Sequence, residues 1–181
     1  MERLGIVALA LLAVVVQTTL MPGFPGAGAL MDLVLLLVIF FALQRGTTLG
    51  IWMGFVLGLI QDAAGGGPLG LNAVALLGVA YLVGLMRARL FKENYPAQVM
   101  VVVALTFFHQ FLMFYWLNTV MDASFGIGDW LRRALIMSCS HALVGPFLFH
   151  WLATWIAGDD VYQHLIAGDS QSRRRFFKRF V

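Results

Sequence analysis

The sequence predicts an all-α integral membrane protein: six transmembrane helices in a compact bundle, with both termini in the cytoplasm. Three observations carry that prediction. Of 181 residues, 61% are hydrophobic and 12% charged, and the mean hydropathy is +0.87, so a water-soluble domain could not cover its surface. Apolar stretches fall at about 4–20, 30–44, 46–61, 69–86, 97–121 and 131–157, near the roughly 20 residues that a bilayer crossing needs. Six crossings put Arg3, Arg45, Arg87, Arg89, Lys92, Arg173, Arg174, Arg175, Lys178 and Arg179 on one side, and of the 12 Lys and Arg leave only Arg132 and Arg133 on the other. The basic side is the cytoplasm. An odd number of crossings would split the N-terminal and C-terminal basic groups, so the pattern favours an even one.

The first helix, 4–20, follows Met1-Glu2-Arg3 and precedes Ala27-Gly28-Ala29, which together have the outline of a signal peptide and its cleavage site. The apolar run is long enough to span, and the small residues lie well beyond it, behind Pro22 and Pro25; the helix is therefore expected to be retained. Residues 30–61 read as one helix would run to about 48 Å at 1.5 Å per residue and would leave Arg45 at mid-membrane. A tight hairpin at Gln44-Arg45-Gly46 costs less, and its two short arms call for shielding by neighbours.

On the third helix Gly50, Gly54 and Gly58 stand four residues apart and share one face, the spacing that lets helix backbones approach closely in lipid. They read as a packing seam. The stretch that follows, GLIQDAAGGGPLGLNA, has no basic residue near Asp62. Gly65, Gly66 and Gly67 give the backbone freedom, Pro68 suits a helix start, and the amides of the fourth helix, near Gly70, carry partial positive charge. Asp62 is placed to accept from them, closing an outer hairpin with its own counter-charge. The glycine triplet also exposes amides that could hold an anion, but it lacks the Lys-Ser/Thr of a phosphate loop, and the carboxylate repels phosphate. Asp32, Asp62, Asp122 and Asp129 all fall in or beside loops on the outer side.

The fifth and sixth helices contain intramembrane polar residues: His109, Gln110 and Asn118, then Ser138, Ser140, His141 and His150. Hydrogen bonding between helices is their expected role, His109 and Gln110 reaching His141 or Ser138 for roughly 0.6–2 kcal/mol each; a proton or substrate path is the rival. No His/Asp/Glu pair repeats at metal-ligand spacing. The lone Cys139 excludes a disulfide, a CxxC pair and a cysteine zinc site, and it points away from His141 on the helix, so the two form no dyad by spacing. No cofactor is expected.

Residues 1–157 thus form the membrane domain, and 158–181 a basic cytoplasmic tail. Its RRRFFKRF interleaves basic residues with Phe176, Phe177 and Phe180, suiting anionic lipid at about 1 kcal/mol per charge. The net charge of +3 is too small and localised for nucleic acid. The short connections leave no room for a soluble catalytic or nucleotide-binding module.

The run from Leu30 to Asn94, above all GIWMGFVLGLIQDAAGGGPLGLNAVALLGVAYLVGLMRARLF, resembles the MreD family of bacterial rod shape-determining proteins. The carriers are Gly50, Gly54 and Gly58, then Asp62, Leu69-Gly70 and Tyr81-Leu82 before a basic cytoplasmic loop. The chain departs from the family at Leu30-Met31-Asp32-Leu33, where a proline often precedes a polar residue. The resemblance implies a multi-pass protein of the bacterial cytoplasmic (inner) membrane, without catalytic activity and with a fold similar to the six-helix substrate-binding subunits of energy-coupling-factor vitamin transporters. It implies a scaffold of the cell-elongation complex that binds MreC and works with MreB, RodZ, RodA and the transpeptidase partner of RodA in side-wall peptidoglycan synthesis. The alternative is a small-molecule transporter or substrate-binding membrane subunit, with a pocket near Asp62 and Asn72. An intramembrane enzyme ranks third.

Overall fold

The computed structural model describes residues 2–20, 31–66, 68–90, 95–120, 124 and 126–166. Among them there is no strand, and six α-helices follow one another: α1 (Glu2–Val15), α2 (Leu33–Arg45), α3 (Thr47–Gly65), α4 (Leu71–Leu90), α5 (Tyr95–Val120) and α6 (Ile127–Ile166). The stretches Thr47–Gly65, Gln98–Val120 and Ile127–Trp155 are long and apolar enough to cross a membrane, whereas Ala8–Thr19, Leu33–Arg45 and Leu71–Met86 are apolar but shorter. The last helix runs on to Ile166, past the expected start of the tail at 158. The chain divides into two units, residues 1–145 and 146–181.

In the first unit, α1 ends in a π-helical turn, Val16–Leu20, where the Thr18 hydroxyl donates to the Val14 carbonyl at 2.8 Å. Helix α2 has 13 residues, about 20 Å, against a hydrocarbon core of about 30 Å. Its residues Val34 to Leu43 are all buried. A helix apolar on every side and too short to span is stable in lipid only when other helices enclose it, and α1, α3, α4 and α5 all pack against it.

A single residue, Gly46, separates α2 from α3, with φ 107° and ψ 163°, a conformation that L side chains rarely adopt. The buried positions Gly50, Gly54, Leu57, Gly58, Gln61 and Asp62 of α3 line one face. A Cβ at Gly50 would stand 2.5 Å from the Ala42 Cβ on α2, one at Gly54 would stand 2.8 Å from the Leu76 carbonyl oxygen on α4, and one at Gly58 would collide with the backbone of Ala73. The glycine stripe is thus occupied within the chain, and α3 and α4 are the most closely packed pair. Near the other end of α4, Gly84 lies against the Thr47 side chain.

Helix α3 ends at Gly65 and is capped by Gly66, whose left-handed φ of 66° supplies the usual helix terminator. Helices α5 and the first part of α6 run antiparallel and meet through long side chains. The Trp130 indole N–H donates to the Gln110 carbonyl at 3.0 Å, the Gln110 amide to the Met137 sulfur at 2.8 Å, and Thr106 pairs with His141 at 2.8 Å. Phe111 and Phe114 pack on the Trp130 ring at 6.3 and 5.5 Å between centroids. The second unit begins at Pro146 inside α6; in it Trp151 and Trp155 stack with ring planes 2° apart.

Candidate functional site

Two polar centres interrupt the apolar interior, and each is built around an aspartate at a helix end. The first is Asp62, 3% exposed on the last turn of α3. Its Oδ2 accepts from Gly70 N at 2.9 Å and Ala73 N at 3.4 Å, and its Oδ1 from Asn72 N at 3.1 Å and Asn72 Nδ2 at 2.8 Å. The three backbone donors are otherwise unbonded amides at the start of α4, and a negative charge there is stabilised by the helix dipole. Gly70, at φ 97°, turns its amide toward the carboxylate. Both oxygens are satisfied by the chain itself, so the centre closes a hairpin and leaves the carboxylate little capacity for a ligand. Gly65 and Gly66 are exposed with open space around them, Pro68 is half-buried, and Gly67 lies outside the described residues.

The second centre lies at the start of α2. Asp32, 4% exposed, is the N-cap, and its Oδ1 accepts from Leu35 N at 2.9 Å. Val34 N donates to Gln17 Oε1 at 3.2 Å from the π-helical turn. Asp32 N itself donates to His141 Nε2 at 2.9 Å. An amide N–H only donates, so His141 Nε2 is the acceptor and its proton is on Nδ1. That proton points to the Thr106 hydroxyl at 2.8 Å, which hands its own to the Val102 carbonyl at 2.7 Å. The result is a directed chain of hydrogen bonds from the α2 start through α6 to α5. The polar groups at this buried helix start are thus satisfied by the protein itself.

The interhelical bond expected of His109 therefore falls to Thr106, one turn earlier. His109 is 1% and Ser138 3% exposed, and among the described residues neither imidazole nitrogen of His109, nor the Ser138 hydroxyl, nor Gln61 Oε1 has a hydrogen-bond partner. Asn118 and Arg45 are half-buried. Arg87 and Arg89 lie in the last turn of α4, and Lys92, Arg173, Arg174, Arg175, Lys178 and Arg179 lie outside the described residues. Cys139 is exposed. No group of three or more His, Cys, Asp or Glu among the described residues is arranged to hold a metal ion.

Asp32 is the residue that sequence reasoning missed as part of a centre, treating it as a loop acid. Its signal was present: an aspartate directly before an unbroken apolar run marks a helix N-cap.

No match to the chain is found among the curated proteins or among the solved structures. A family model described as rod shape-determining protein MreD matches residues 3–155, a span that takes in the glycine stripe and both aspartate centres. The chain belongs to the MreD family of rod shape-determining membrane proteins.

Proposed function

We propose that this protein is a non-catalytic scaffold of the bacterial cell-elongation complex, crossing the inner membrane six times with both termini in the cytoplasm, and that it binds MreC directly. MreB, RodZ, RodA and its transpeptidase partner belong to the same assembly. The observation that carries this reading is the family match over 3–155; the distribution of basic residues supports the orientation. Because Gly50, Gly54 and Gly58 already receive Ala42, Leu76 and Ala73, a partner's transmembrane helix meets some other face. The cytoplasmic contacts fall to the loop around Arg87, Arg89 and Lys92 and to the basic tail, which also binds anionic lipid.

The test is photocrosslinking in the native bacterium from positions on the exposed faces of α3 and α5, Trp52, Met100 and Tyr115, followed by purification and identification of the adducts. Recovery of MreC and the elongation synthases is the expected result. Recovery of an ATPase module, or of lipid alone from every position, overturns the scaffold reading.

A further inference from the structure

We infer that His109 and Ser138 form, beside the Asp32 N-cap, a hydrogen-bonding site inside the bundle for a neutral hydroxyl-bearing guest, of which water is the smallest. Thr106 pairs with His141 and Gln110 with Met137, so advancing along α5 means retreating equally along α6. Three residues on from Thr106 is His109, and three back from His141 is Ser138. The two fall at the same level between the rungs, one turn from the Thr106–His141 pair, where His141 holds the Asp32 amide. Each is over nine-tenths buried and without a partner among the described residues.

Ser138 is informative because its neighbours behave differently. A serine or threonine inside an apolar helix ordinarily bonds back to the carbonyl four residues earlier. Thr106 does so to Val102 and Ser140 to Ile136. Ser138 does not, so its hydroxyl is held for something across the seam. His109 sets the size of the guest. Its two ring nitrogens point in divergent directions, one a donor and one an acceptor in the neutral ring. No single water reaches both, so the site takes two waters, or one molecule with more than one hydroxyl.

Charge narrows the class further. The start of α2 would attract an anion, but the Asp32 carboxylate already occupies that role, so an anionic guest is repelled. A metal ion is disfavoured by the absence of a ligand cluster among the described residues. The backbones of α5 and α6 do not approach as α3 and α4 do. This inference does not depend on the scaffold reading.

The experiment uses the full chain in lipid nanodiscs with ¹⁵N-labelled histidine, of which the sequence has 4. The expected result is that both His109 ring nitrogens show hydrogen-bonded shifts and magnetisation transfer from water, and that Ser138→Ala perturbs them and lowers the melting temperature. Hydrogen-bonded shifts without water transfer, lost when bound organics are stripped by extensive detergent exchange, identify an organic hydroxyl as the guest and equally support the site. The inference is overturned by shifts of unbonded imidazole with Ser138→Ala melting at or above the parent. Hydrogen-bonded shifts that persist through stripping with no water transfer overturn it too, because they mean a partner within the protein.

Discussion

At Gly58 there is no room for a methyl group: an added Cβ meets the Ala73 backbone, which cannot rotate away as a side chain could. Gly58→Ala and Gly54→Ala should each destabilise the purified protein by about 1–3 kcal/mol, the usual cost of overpacking, read as a lower midpoint in thermal or denaturant unfolding in detergent. Gly65→Ala is the control. It has nothing within 4 Å and no positive φ, so the same methyl should be neutral or stabilise by up to about 1 kcal/mol. At Asp62 the order of stability should be Asp, then Asn, then Ala. Alanine leaves the amides of Gly70, Asn72 and Ala73 without their acceptor at a cost of about 1–3 kcal/mol, while asparagine keeps one accepting oxygen; unfolding midpoints of the two variants check it. The Asp62 bonds can be anticipated from sequence because acceptor and donors lie within one hairpin. The Asp32–His141 bond joins residues 109 apart in sequence, and nothing in local spacing announces which of several polar residues will meet.

The helices themselves were readable where apolar runs are bounded by punctuation, such as Gly46 and the glycines after Asp62. Their lengths were less so, because a bilayer crossing of typical length is a poor guide for a helix enclosed by others. Helix α2 begins at Leu33 and not at 30, since Asp32 takes the cap, and the π-helical turn at the end of α1 lies beside its first amides. Gln17 on that turn supplies the acceptor for Val34 N. Gln17→Leu should therefore lower stability by about 1–3 kcal/mol in the same unfolding assay, as an amide at a buried helix start loses its partner. A result in which the leucine variant is as stable as the parent would mean that the Val34 amide finds another acceptor.

For the whole molecule, the number of crossings is the property that composition and charge address best, and the six-span reading makes a definite prediction. In a Cys139→Ser background, Ala64→Cys should react with a membrane-impermeant maleimide added to cells with a permeabilised outer membrane. Lys92→Cys should react only after the inner membrane is opened. Labelling of both from outside, or of neither, would sink the topology. The single-residue turn at Gly46 has a consequence for biogenesis. With one residue between α2 and α3, the two segments cannot leave the insertion machinery far apart in time or place, and α2 alone is too short to hold a place in the bilayer. The pair should partition into lipid as one unit, so that lengthening the turn with a flexible insert would let α2 stall on the ribosome side and expose the newly made chain to degradation before α4 arrives to enclose it.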